Sequence, residues 1–160
     1  MENKYNLLEN EEVIYYVYKL NWHLPKTDQE DAISVLSDLS PEQVDLLIPK
    51  YGKECYENAV SILQKMGYPR IKKALPRLVW LLNDINWPGA LKAIEIFKSI
   101  DKEIIVPYIE DGCVTAIKEN DPTWLEFIKY ACDDIGISKE DFTNQDVFAH
   151  MVELGEKYNW

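Results

Sequence analysis

The chain has only two histidines, His23 and His150. Neither falls in a His-x-x-x-His, Gly-x-Ser-x-Gly or comparable frame that would hold a metal or arm a nucleophile. His150 shares its segment with Val147, Met151 and Leu154, so a hydrogen-bonded histidine on a helix is a simpler reading than a ligand. Adjacent carboxylates occur at Glu110-Asp111, Asp133-Asp134 and Glu140-Asp141, but a chain with 28 acids produces such neighbours by chance. General acid–base work needs a geometry that adjacency does not supply. Cys55, Cys113 and Cys132 are odd in number, at spacings that fit neither a disulfide framework nor a zinc site. They read as buried free thiols, which implies a reducing compartment. None of the glycines forms a phosphate-cradling loop. These residues predict no catalytic group, no metal and no cofactor.

Charge bears on solubility and on the kind of partner the chain could bind. The net charge is −11, with residues 1–64 summing to −7, 65–100 to +5 and 101–160 to −9. An acidic surface repels nucleic acid and anionic membranes, and it favours solubility or a basic partner protein. Candidate partner-binding acids are Glu110, Asp111, Asp133, Asp134, Glu140 and Asp141. Tyr15, Tyr16 and Tyr18 offer a second candidate surface, since at most one or two of them can face a core. The one basic island, Arg70, Lys72, Lys73 and Arg77 with Lys65, lies near Tyr68 and Trp80 and is the alternative, a nucleic-acid patch.

The elements that must carry these residues are helical. Apolar positions recur at helical intervals in three sets: Trp87, Ala90, Leu91, Ile94 and Phe97; Trp124, Ile128, Ala131 and Ile135; and Val147, Met151, Leu154 and Tyr158. Thr27-x-x-Glu30, Ser40-Pro41-x-Gln43 and Thr143-x-x-Asp146 resemble capping boxes, predicting helix starts near 28, 41 and 144. Gly67 and Gly136 mark helix ends. The segment Glu11 to Asn21 is rich in β-branched and aromatic residues, yet no second strand-like run exists to pair with it, so it is read as helix. The start, Met1-Glu2-Asn3-Lys4-Tyr5, lacks the charged and apolar regions of a leader, and no window is apolar enough to span a bilayer. A cytoplasmic protein without membrane attachment is expected.

An Asn-Asp-x-x-Trp frame occurs twice, at Asn83 to Trp87 and at Asn120 to Trp124. Each copy follows an apolar residue joined to proline, Leu75-Pro76 and Val106-Pro107, with a partial third copy at Ile48-Pro49. Repetition of this kind predicts stacked helical hairpins. Asp84, Asn86, Trp87, Pro88, Asp121 and Trp124 are then turn residues that fix the stacking, or line an edge that binds a ligand. Asp121 suits an N-cap, with Pro122 at the first helical position.

The turn Asp84-Ile85-Asn86-Trp87-Pro88, with the Leu24-Pro25 start, resembles a bacterial family known only as a domain of unknown function and marked by an Asp-x-Asn-Trp-Pro turn. The resemblance covers about Leu24 to Ile137. It departs after the second tryptophan, where Trp124-Leu125-Glu126-Phe127 replaces a closer aromatic. It implies a HEAT-like helical repeat with no catalytic residues to carry over. The expectation is one all-α domain over 1–160 with about eight or nine helices: an N-terminal capping helix in 1–24, a HEAT-like core in 25–137 and a C-terminal capping helix in 138–160. Its expected role is a non-enzymatic interaction module, in one concrete version an immunity-type protein that neutralises a cationic toxin. The competing class is a HEAT-like nucleic-acid-binding or DNA-repair protein, and a small carboxylate enzyme is a weaker third.

Overall fold

The computed structural model describes residues 4–160, so the opening residues 1–3, counted above within the N-terminal cap, lie outside the described part. The described chain forms eight α-helices: α1 Asn10–Tyr18, α2 Lys26–Ser37, α3 Lys53–Met66, α4 Leu75–Trp80, α5 Ala90–Lys98, α6 Lys102–Lys118, α7 Pro122–Ile135 and α8 Gln145–Tyr158. Short 3-10 turns at Val44–Leu47, Lys72–Ala74, Leu81–Asn83 and Lys139–Asp141 join them. Among the described residues there is no β-strand, only a single β-bridge between Asn6 and Leu39. No helix of the described residues is long and apolar enough to cross a membrane.

Local chemistry accounts for several boundaries. Asp121 accepts a hydrogen bond from the Trp124 backbone N–H at 3.0 Å and Pro122 opens α7, which removes one orphan amide and satisfies another. α3 and α7 stop at Gly67 and Gly136, which take φ +71° and +89°. Other sequence signals yield to tertiary partners. No α-helix starts at Pro41, because the Gln43 amide reaches across to the Leu8 carbonyl at 2.8 Å rather than back to Ser40. α2 starts at Lys26 behind Pro25, leaving Thr27 inside the first turn without a capping bond. Asn144, not Thr143, caps α8 by accepting from the Asp146 N–H at 3.1 Å.

One buried apolar cluster runs from Val13 on α1 to Met151 on α8. α5 packs against α3 and α7, while α6 packs against α4, α7 and α8. Burying a large aliphatic or aromatic side chain contributes about 1.5–3 kcal/mol, so this shared cluster is the main stabilising term. The predicted stripes hold at Ala90, Ile94, Phe97, Ile128, Ala131 and Met151, all of which are buried. Leu91 and Tyr158 turn outward, because the buried sides of their helices are taken by Ala90, Ala93 and Phe97 and by Phe148 and Met151.

The two Asn-Asp-x-x-Trp frames share a sequence and not a geometry. α7 starts two residues before Trp124, whereas α5 starts three residues after Trp87, with Gly89 at φ +85° as its N-cap. The prolines differ too. Pro76 occupies the first turn of α4, where its missing N–H costs nothing, whereas Pro107 lies inside α6. Pro49 precedes α3 in an irregular segment.

Candidate binding surfaces

The two tryptophan corners are built differently. Trp87 is half-buried in an aromatic group, 5.2 Å from Trp80 and 6.3 Å from Tyr56 between ring centres, with the Lys53 ammonium 5.6 Å from its own ring. Asp84 accepts from the Asn86 N–H at 2.9 Å, closing the turn that leads to Pro88. Trp124 is buried, and its indole N–H donates to the Val79 carbonyl at 3.1 Å. That approach depends on Gly112 of α6, where an added Cβ would lie 2.5 Å from Val79 Cγ1. The glycine costs α6 roughly 1 kcal/mol against alanine and lets the α7 indole seat itself on the α4 backbone. Asp84, Asp121 and the two indoles therefore serve separate corners rather than one shared edge.

The candidate acids separate into groups. Glu110 is buried on α6 and accepts from the backbone N–H groups of Thr143 at 3.0 Å and Asn144 at 2.6 Å. It cannot serve as a partner-binding acid, because its carboxylate is already used to hold the start of α8. Asp133 pairs with Lys129 at 2.6 Å, Asp134 with Lys98 at 3.5 Å and Asp141 with Lys102 at 3.2 Å. Asp141 also accepts from the Ser138 backbone N–H, the main reason its carboxyl is held below the usual range. Glu140 is exposed, and hydrogen bonds to the backbone and to Ser138 likewise lower it. Asp111 is exposed.

The two arginines of the basic island are engaged within the fold, while its lysines stay at the surface. Arg70 donates through one Nη to the Ser37 and Leu39 carbonyls at 2.9 and 2.8 Å, and its guanidinium covers the Tyr5 ring. Arg77 donates from Nε to the Ile48 carbonyl at 2.9 Å and stacks 4.3 Å from the Trp80 ring centre. Lys73 is ion-paired with Glu42. Lys72 is exposed. The two arginines are thus structural ties between the α3–α4 region and the preceding segments. The sequence offered no sign of this, because their acceptors are main-chain carbonyls, which every residue carries.

The tyrosine candidates on α1 divide between surface and core. Val13 and Val17 face the core, leaving Tyr15 at 58% and Tyr18 at 46% exposure, with Tyr16 packed against the cluster. The Tyr18 hydroxyl donates to the Tyr51 carbonyl at 3.3 Å, which brings a ring that is 75% exposed beside them. Ile14 and Trp22 are also exposed, and the Trp22 backbone N–H is tied to the Glu54 carbonyl at 3.1 Å. Tyr51 and Trp22 escaped the sequence reading because they lie outside α1, and only the packing of α1 beside the start of α3 ties Tyr18 to the Tyr51 main chain and Trp22 to the Glu54 main chain. Exposed Glu11, Glu12 and Glu54 lie on the same two helices, alongside exposed Lys53, while the Lys19 and Lys50 ammonium groups sit 5.4 and 5.8 Å from the Tyr15 and Tyr51 ring centres.

The remaining groups that could do chemistry are placed without an obvious task. Cys55, Cys113 and Cys132 are free and buried. Burial, with a smaller contribution from Glu54, pushes the Cys55 thiol up to about 11. His23 accepts from the Trp22 indole N–H at 3.1 Å, and His150 is exposed on α8. Among the described residues, no group of His, Cys, Asp and Glu side chains is arranged to hold a metal ion. Compared with protein-family models, with curated proteins and with solved structures, the chain shows no significant match to any of them.

Proposed function

We propose that this chain is a non-enzymatic protein-interaction module on a HEAT-like helical scaffold, and that its partner is a cationic protein. The observation that carries the reading is the exposed aromatic group Tyr15, Tyr18, Trp22 and Tyr51 on and beside α1. Tyrosine and tryptophan dominate binding energy at interfaces because they bury large area at little conformational cost. The net charge of −11 supports a basic partner, whose encounter it would accelerate more than it would tighten the complex. The scaffold reading is supported by the alternation in which α5 lies between α3 and α7, and α6 contacts α4 and α8. The turn from Asp84 to Pro88 is the basis for proposing kinship with the bacterial family it resembles. An immunity-type protein that neutralises a cationic toxin in the cytoplasm is the concrete version. The nucleic-acid alternative loses its strongest donors, since Arg70 and Arg77 are committed to carbonyls.

The test is affinity capture from native lysate at low and high salt, comparing the wild type with a Tyr15→Ser, Tyr18→Ser, Tyr51→Ser triple variant. The reading expects a basic protein retained by the wild type, weakened by salt and lost from the variant. Equal retention by both proteins, or tight nucleic-acid binding with a steep salt slope, would refute it.

A further inference from the structure

A groove of about 470 Å³ opens between α7 and α8. Met151, Val152 and Gly155 line it on the α8 side, together with the rings of Tyr130 and Trp160. Tyr130 is 51% exposed and Trp160 37%, so both rings are accessible to a ligand. Glu126, Asp133 and Glu156 also line it against the single cation Lys129. That ammonium is already engaged by Asp133 at 2.6 Å, which leaves the carboxylates of Glu126 and Glu156 as the groove's uncompensated charge.

The indole is held in place. α8 is capped at its C-terminus by Asn159 in the left-handed conformation at φ +58°, and the Trp160 backbone N–H then donates to the Gly155 carbonyl at 2.9 Å. This turns the chain back along the helix and lays the ring over Gly155, where an added Cβ would meet Trp160 Cε3 at 3.1 Å. A glycine inside a helix is unfavourable by roughly 1 kcal/mol relative to alanine, and contact with the ring is the structural use of this one. The groove also lies at the C-terminal end of α8, where the helix dipole favours positive charge.

From this arrangement we infer that the groove accepts an arginine side chain from an extended basic segment of a protein partner. The guanidinium is planar and weakly hydrated, so it can stack on the indole and phenol faces while its N–H groups reach carboxylates. Lysine would supply charge without the stacking plane. The inference deepens the proposed function and rests on its cationic partner, although it uses a surface remote in sequence from α1.

The probe is a blocked pentapeptide with two arginines separated by glycine, titrated into the full chain and followed by the indole and backbone N–H resonances. Matched peptides carry citrulline or lysine in place of arginine. Saturable shifts of the Trp160 indole N–H and of amides in 126–133 and 151–160 are expected with arginine and absent with neutral citrulline. Trp160→Ala should weaken binding about tenfold, and Glu156→Gln several-fold with a reduced salt dependence. Gly155→Ala, which keeps every groove charge while displacing the ring, should weaken it as well. Lysine binding as tightly as arginine would overturn the assignment to guanidinium. Arginine-dependent shifts confined to α1, or unaffected by Trp160→Ala, would overturn the groove while leaving the cationic-partner reading intact. Absence of binding anywhere at low salt would overturn the groove assignment, while the cationic-partner reading stands or falls on the capture experiment.

Discussion

Replacing Glu110 by glutamine keeps its size and removes its charge, and it tests the conclusion that this acid is a structural staple. Its two oxygens accept the Thr143 and Asn144 N–H groups at 3.0 and 2.6 Å from a buried position on α6. A hydrogen bond to a charged group is worth about 1.5–3 kcal/mol. Glutamine can preserve one of these bonds at best, because its second terminal atom is an NH₂ that confronts a peptide N–H. With both amides near the surface, water can partly satisfy the released donor, so the expected loss is about 2–3 kcal/mol. For a chain of this length, with a shift of about 2–4 °C for each kcal/mol, the melting temperature should fall by about 5–10 °C. Asp111→Asn, one residue away and exposed, is the control and should leave it unchanged. Thermal unfolding followed by circular dichroism measures both, and hydrogen exchange should show lost protection at the Thr143 and Asn144 amides. A Glu110→Gln protein as stable as the Asp111→Asn control would refute the staple.

Two further outcomes follow from the packing. Gly112→Ala should destabilise the fold by about 1–2 kcal/mol despite alanine's better helix propensity, because the new methyl meets the rotationally stiff Val79 at 2.5 Å; a raised urea midpoint would contradict it. The thiols Cys55 and Cys132 are pushed up to about 11 and about 12, chiefly by burial, and Cys113 is raised in the same way. Since the unfolded thiols ionise near 9 while the folded ones keep their protons, stability should be full below pH 9 and decline as the pH rises through about 11. A urea midpoint independent of pH from 8 to 11 would sink this account, as would native thiols that react with a disulfide reagent as fast as denatured ones.

The sequence determined the helical class, the ends of α3 and α7 and the start of α7. Those features depend on residues close in the chain: glycines able to adopt positive φ, an aspartate three residues before the amide it caps, and apolar residues at helical intervals. The burial of all three cysteines was legible from their number, spacing and apolar character. Roles that depended on a distant partner were not legible. Glu110 looked like half of a surface acid pair until the start of α8 met it, and Arg70 and Arg77 looked like phosphate ligands until main-chain carbonyls from earlier segments accepted their protons. Gln43 and the Asn-Asp-x-x-Trp frames diverged for the same reason: a side chain takes the partner that packing brings to it, and local spacing fixes only the partners within a turn or two of helix.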